Sequence, residues 1–235
     1  MKNVTQISFV SKFVLSILVI TLFFSCQKEE TTIIDRPNID QEIKANSALT
    51  NLIYRITQNP TSMDNVLDKS SCVSVNLPVN IIINNELYTV GGTGGKTYAE
   101  VQNIINAFPT APSVAMDFPI SVTGQDYSTL QIASQSQMNA TLETCTSNGL
   151  SDIRCAKILY PISIAMYNIT TQFASTYTLN SNQQFYSFLS NRLNKETIAN
   201  INYPIMLEGV DQMKYQITNN AGLEIFIRNA AEVCN

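Results

Sequence analysis

The residues that could do chemistry are few, and one absence narrows them at once: the 235-residue chain has no histidine. Ser-His-Asp and Cys-His nucleophile systems are therefore excluded, as are His-ligated zinc and iron sites. Switching near neutral pH by an imidazole is excluded too. Three stretches of two kinds remain that resemble reactive motifs at first sight. Val90-Gly91-Gly92-Thr93-Gly94-Gly95-Lys96-Thr97 ends in Gly-Lys-Thr between a strand and a helix. A phosphate loop needs a glycine five residues before its last glycine, and that position is Val90. The stretch reads instead as a flexible strand-to-helix connector with Thr97 as helix N-cap. Gly124-x-Asp126 and Gly209-x-Asp211 could offer carboxylates for Ca²⁺ or for glycoside chemistry. One carboxylate per loop is too few for a calcium cage, and Gly with Asp is ordinary turn chemistry. No CxxC spacing is present, so the cysteines do not read as a metal site. No metal and no cofactor are expected. Tyr and Phe number ten each and map mostly to inward positions, with Tyr167 and Tyr186 as outward candidates for stacking on a glycan.

The elements that must position these residues follow a period. The cores FPISV at Phe118 to Val122 and YPIML at Tyr203 to Leu207 have looser copies, LPVNI at Leu77 to Ile81 and YPISI at Tyr160 to Ile164. Their prolines, Pro78, Pro119, Pro161 and Pro204, lie 41, 42 and 43 residues apart. Apolar residues alternate in every copy: Leu77, Val79, Ile81 and Ile83; Phe118, Ile120 and Val122; Ile158, Tyr160, Ile162 and Ile164; Tyr203, Ile205 and Leu207. Period two means one face buried and one wet, an antiparallel habit. The prolines fall on the outward phase, at an edge or at the start of a strand. A polar turn and a second strand follow in each copy: Leu87 to Val90, Thr129 to Ala133, Ser175 to Leu179 and Met213 to Thr218. The third copy carries extra turn residues at Ile169 to Ala174. Each copy closes with a helix. Thr97 with Glu100 and Ser181 with Gln184 have capping-box spacing, and Ser136 and Asn220 are candidate lone N-caps. Four ββα units of about 42 residues result, and a unit this small cannot bury its own apolar face. The expected fold is α+β: an antiparallel sheet built from four ββα repeats in two pseudo-repeated halves, with helices on one face. Upstream, Ile43, Leu49, Leu52, Ile53 and Ile56 predict an amphipathic helix over Asp40 to Gln58, packed on the domain that follows and stopped by Asn59-Pro60.

The N-terminus reads as an address. Lys2 and Lys12 precede an apolar run, Phe13 to Phe24, too short to span a bilayer as a stable helix. Residues 1–25 are thus expected to be a signal peptide. The run ends in Leu22-Phe23-Phe24-Ser25-Cys26, which resembles a bacterial lipobox, although Phe23 stands where that pattern prefers Leu. The resemblance implies that Cys26 becomes the acylated first residue of the mature chain. Gln27-Lys28-Glu29-Glu30 resembles the Lys-plus-acidic export signal of surface lipoproteins in Bacteroidota. It implies the outer leaflet of the outer membrane, with the periplasmic face as the alternative.

Residues 26–39 then form a tether, 40–71 a helix and linker, 72–145 the first half and 146–235 the second. The chain carries 14 Lys and Arg against 18 Asp and Glu; without Lys2 and Lys12 the balance is 12 against 18, or −6. Nucleic acid, which needs basic stripes, is an unsuitable partner. Outside the cytoplasm Cys72, Cys145, Cys155 and Cys234 should be oxidised. Cys72 and Cys155 each stand six residues before a repeat proline, while Cys145 and Cys234 each end a helix. Symmetry favours Cys72–Cys145 and Cys155–Cys234; a Cys145–Cys155 clasp is the rival.

With lipobox, cysteine frame and YPI strand together, the chain resembles uncharacterised repeat-containing lipoproteins of Bacteroidota. The resemblance spans nearly all of the mature chain, and [FY]-P-I-x-[VL]-x-G-x-D recurs in the second and fourth units. That family brings no activity and no site residues. The expectation is a surface-anchored, non-enzymatic lipoprotein, held to the membrane through Cys26 and binding a surface glycan or another envelope protein. An accessory subunit of an envelope uptake or secretion complex and an extracellular hydrolase without His are the alternatives.

Overall fold

The computed structural model describes residues 41–146 and 151–233, without the side chains of 145 and 146. The expected signal peptide and tether, Cys26, Gln27, Lys28, Glu29, Glu30 and Cys234 lie outside the described residues. What is described belongs to one unit, Arg36–Asn235. It is a mixed α/β fold of six helices and several small antiparallel sheets. Among the described residues no helix is long and apolar enough to cross a membrane.

Each repeat proline stands directly before a strand. β3 (Val79–Ile83), β6 (Ile120–Gly124), β9 (Ile162–Asn168) and β12 (Ile205–Glu208) begin one residue after Pro78, Pro119, Pro161 and Pro204. Proline has no N–H to give a ladder, so it sits at the strand's entrance. All four prolines are exposed, and the peptide bond before each is cis. The apolar phase beyond them is inward: Ile81, Ile83, Ile164 and Leu207 are fully buried.

Each of these strands returns through a hairpin. The partners are β4 (Glu86–Val90), β7 (Thr129–Ile132), β10 (Phe173–Leu179) and β13 (Lys214–Ile217). The residues at Ile169 to Ala174 are not a simple loop insertion. They lengthen β9 and β10 to 7 residues each, so the hairpin is extended rather than its turn.

Whether the two halves share one sheet, left open by the sequence, is answered by four small antiparallel sheets. A third strand precedes each proline: β2 (Val73–Val75), β5 (Val114–Met116), β8 (Lys157–Leu159) and β11 (Thr197–Ile201). None of them pairs with the hairpin that follows it. β2 crosses to β6, and β5 crosses back to β3, giving the sheets β2-β6-β7 and β4-β3-β5. The C-terminal part repeats the exchange, with β8 on β12 and β11 on β9. These strands are short and pair outside their own unit, so a reading of each unit by itself does not reveal them.

A helix follows each hairpin: α3 (Tyr98–Asn106), α4 (Gln135–Thr146), α5 (Asn182–Arg192) and α6 (Asn220–Val233). The Thr97–Glu100 capping box is complete. Ser181 accepts from Gln184 N, but the Gln184 side chain accepts from Asn180 N instead of closing the box. The other two caps lie one or two residues earlier than expected. Ser134, not Ser136, accepts from Gln137 N, and Asn219, not Asn220, accepts from Gly222 N. In α6, Leu223 and Ile227 are buried, whereas Val233 is 63 % exposed.

Two hydrophobic clusters result. One runs from Leu67 to Met138 through β2 to β7, α3 and α4. The other holds the residues from Ile153 to Ile227 together with Ile43, Leu49, Leu52, Ile53 and Ile56. The N-terminal helix is therefore corrected at its start. Its first part is not helical: Glu42–Ile43 is a short strand, β1, that adds to β11. The helix itself, α1 (Ala48–Thr57), packs on α5 and α6 of the C-terminal cluster, not on the residues that directly follow it. A short turn, α2 (Asn65–Asp68), then leads into β2.

The reason is polar as well as apolar. Tyr160 and Tyr203 stand before their prolines, where the N-terminal copies have Leu77 and Phe118. The Tyr160 hydroxyl donates to Asn182 Oδ1 at 2.8 Å, and Tyr203 to Asn220 Oδ1 at 2.7 Å. Each Asn opens a helix and reaches outward: Asn182 Nδ2 donates to Ile56 O at 3.3 Å, and Asn220 Nδ2 to Glu42 O at 3.2 Å. Burial pushes both tyrosine hydroxyls well above the ordinary phenol range, which keeps them neutral donors. The first two copies have no such hydroxyl to offer.

Candidate functional site

The Gly-x-Asp loops are turns whose glycine makes room for the carboxylate. Tyr127 N donates to Gly124 O at 3.0 Å, and Gly124 N to Ser128 O at 2.8 Å. Gly209 repeats this with Gln212 N and Met213 O. A Cβ on Gly124 or Gly209 would stand 2.9 Å from Oδ1 of Asp126 or Asp211. Asp126 accepts from Ser128 N and Ser128 Oγ; Asp211 accepts from Met213 N and the Tyr215 hydroxyl. The Ser128 hydroxyl bond holds the Asp126 carboxyl below its ordinary range against partial burial, and the Tyr215 bond does the same for Asp211. Both are therefore anions committed to their own turns, unsuited to general-acid work near neutrality.

Around the first turn lies a groove of about 540 Å³. Cys72 and Val73 at the start of β2 form one wall, Gly124 to Ser128 a second, and Thr141 and Thr144 of α4 a third. Leu130 and Tyr186 complete it. A smaller cavity of about 300 Å³ occupies the corresponding place in the C-terminal part, between Cys155, Lys157 and the Gly209 turn. There Lys157 pairs with Glu208 at 3.0 Å.

Tyr186 belongs to α5 of the other cluster, so the groove's edge is built from both. Its ring meets Tyr54 edge-on at 5.0 Å and Tyr127 at 5.9 Å. The Tyr127 hydroxyl donates to Thr57 O at 2.7 Å, capping the end of α1 from the β6–β7 turn. Burial, then the neighbouring Tyr186, pushes that hydroxyl up to about 12. Tyr127 and Tyr54 were not singled out in the sequence. The only local signal is the position after Gly-x-Asp, where the chain needs a positive φ and Tyr127 adopts +65°.

The remaining expected sites are placed as follows. Cys72 and Cys155 each stand in a disulfide. Cys145 lies in the last turn of α4, its side chain outside the described residues. The glycine loop is not a flexible connector but a closed turn: Gly91 N donates to Lys96 O at 2.9 Å, and Lys96 N to Thr89 O at 2.8 Å. Those two amides are spent within the turn. Tyr167 pairs across β9 with β10 and β11 and lines neither cavity. Among the described residues no group of three or more Cys, Asp or Glu could hold a metal ion. Compared with known proteins, the chain matches no family model, no curated protein and no solved structure.

Proposed function

We propose that the chain is a surface-anchored, non-enzymatic lipoprotein of the outer membrane whose groove beside the Asp126 turn binds an envelope glycan. The address rests on Lys2 and Lys12, the apolar run, Cys26 and Gln27 to Glu30. The binding reading is carried by the groove's composition: hydroxyls of Ser128, Thr141 and Thr144, the Gln125 amide and one carboxylate, beside a tyrosine ring. A concave site with a few placed polar groups and an aromatic wall suits a neutral polar ligand.

The architecture that carries it is four hairpin–helix repeats in two halves, each half exchanging its leading strands and layering its helices over the apolar faces. The disulfides of that frame are Cys72–Cys145 and Cys155–Cys234. Supporting the first, Cys72 Sγ lies 4.0 Å from Leu142 O, three residues before Cys145. Closing loops of this length stabilises each half by about 4 kcal/mol in the chain-entropy model.

A photo-crosslinking residue at Leu130, on the groove's exposed rim, tests the binding reading in intact cells. The control is Leu87 on β4, which is exposed but lines neither cavity. The expected result is a saccharide adduct at Leu130 only, on a protein that added protease digests before lysis. A protein adduct would move the reading to an envelope partner. Protection from protease until lysis would place the chain on the periplasmic face.

A further inference from the structure

The second strand of every hairpin is an outer strand of its sheet. An open outer strand is a template for another chain, and charge, shortness or a covering group is the usual protection. Three of the four are protected. Along β4, Gly91 N donates to Lys96 O and Lys96 N to Thr89 O, so the glycine loop folds back on the edge. On β7, Gln137 Nε2 donates to Gln131 O at 3.2 Å. β13 is 4 residues long and begins with Lys214. β10 has none of these devices. It runs for 7 residues, FASTYTL, and no charged residue stands between Lys157 and Arg192.

Its free groups follow from the ladder. Asn202 N donates to Ser163 O and Ile169 N to Glu196 O, so the odd residues of β9 turn their backbone groups toward β11. The even residues therefore bond β10: Ile162, Ile164, Met166 and Asn168 face Leu179, Tyr177, Ser175 and Phe173. On the far side of β10 this leaves the N–H and C=O groups of Ala174, Thr176 and Thr178. Among the described residues no strand or loop takes them. Thr176 and Thr178 are exposed, and Phe173 is 67 % exposed.

We propose that this edge receives a second copy of the chain: two β10 strands pair antiparallel about a twofold axis through Thr176, joining two four-stranded sheets into one. Pleat and donors together fix that register. For the buried faces to stay on one side, each residue must meet one of the same parity, so the axis passes through a residue. Thr176 is the middle of the strand, and an axis there engages its whole length. Ala174 then meets Thr178 of the second copy, and Thr176 meets its own counterpart, each pair exchanging both its bonds. Every free group of the edge is used.

The side chains agree with this pairing. Phe173 falls opposite Leu179 of the second copy in a non-hydrogen-bonded pair, where side chains approach most closely. Leu179 belongs to the C-terminal cluster, so the ring that one copy leaves in water extends the core of the other. In a twofold contact residues near the axis meet themselves, and an uncharged strand brings no like charges together. A charged foreign strand would find no counter-charge here. β10 lines neither cavity, so the pairing does not depend on what the groove binds.

The test is a photo-crosslinking residue at Thr178 of the full chain in intact cells, with Leu87 on β4 as control. The expected product contains two copies of the chain, and mass spectrometry joins Thr178 to β10 of the second copy near Ala174. Thr176→Pro removes an N–H that has no partner within one copy, so the fold tolerates it. It deletes both bonds on the axis and should cut the product about tenfold or more while leaving the unfolding midpoint in place. Thr176→Lys sets two ammonium groups against each other on the axis and should do the same; it decides the matter should Thr176→Pro fail to fold. The pairing is overturned by the absence of a chain–chain product at Thr178, by an equal product at Leu87, by a product these variants leave unchanged, or by a junction outside β10. An adduct on any other protein overturns it too, and gives the edge to a foreign strand.

Discussion

Replacing Tyr203 by Phe removes one oxygen and no apolar contact, so it isolates the tie between the N-terminal strand and the C-terminal core. The hydroxyl donates at 2.7 Å to Asn220 Oδ1, and Asn220 is 8 % exposed. A typical intramolecular hydrogen bond contributes about 1 kcal/mol net, and a buried acceptor left unpaired costs about 1–3 kcal/mol. Phenylalanine in this pocket leaves Oδ1 in that state, so Tyr203→Phe should cost about 1.5–2.5 kcal/mol. In a chain of this size that lowers the melting midpoint by about 4–8 °C. The effect also has an address. Asn220 Nδ2 donates to Glu42 O, so the amide side chain loses one of its two anchors while still holding β1. Hydrogen exchange should speed up at Glu42–Ile43 and at the start of α6, and stay unchanged in α3. Urea unfolding with an unaltered m-value gives the energy, and exchange mass spectrometry gives the location. A loss smaller than about 0.3 kcal/mol, within the additivity error of such measurements, would refute the claim that this hydroxyl fastens the N-terminal segment.

Three further outcomes follow from the same geometry. Phe185→Ala empties a fully buried position on α5 and should cost about 3–5 kcal/mol in urea unfolding. Gly91→Ala should cost about 1–3 kcal/mol, because φ is +75° and the new Cβ would meet Leu77 Cβ at 2.7 Å; a neutral effect would mean the loop is not closed as described. Tyr127, raised to about 12, contributes stability present below its unfolded value and lost as pH rises through the folded one. Spectrophotometric titration should therefore show several late-ionising phenols, Tyr160 and Tyr203 among them, and Tyr127→Phe should remove the one near 12 and leave the others.

Much of the local structure is legible because it depends on near neighbours. Period-two alternation in Ile81, Ile83, Ile164 and Leu207 reports which side faces a core, whatever that core contains. Proline must stand where a strand donor is not needed, so Pro78, Pro119, Pro161 and Pro204 mark strand entrances. Thr97 and Glu100 close a capping box among themselves. Where two adjacent residues compete for one role, local pattern is not enough. Asn219 caps α6 because Asn220 is turned inward to Tyr203. The candidate site was half visible: Asp126 and Tyr186 stand out by type, but no spacing rule brings a turn before β7 beside a helix some sixty residues later.

What the residues determined alone was therefore the inventory: four proline-led strands, their hairpins, four helices behind them, and a chemistry without imidazole. What only the tertiary structure decided was who pairs with whom. β2 passes over its own hairpin to reach β6, and β5 returns to β3, because short strands gain specificity from a partner's open edge rather than from their own sequence. Ile43 left its helix for β11 because that edge was open.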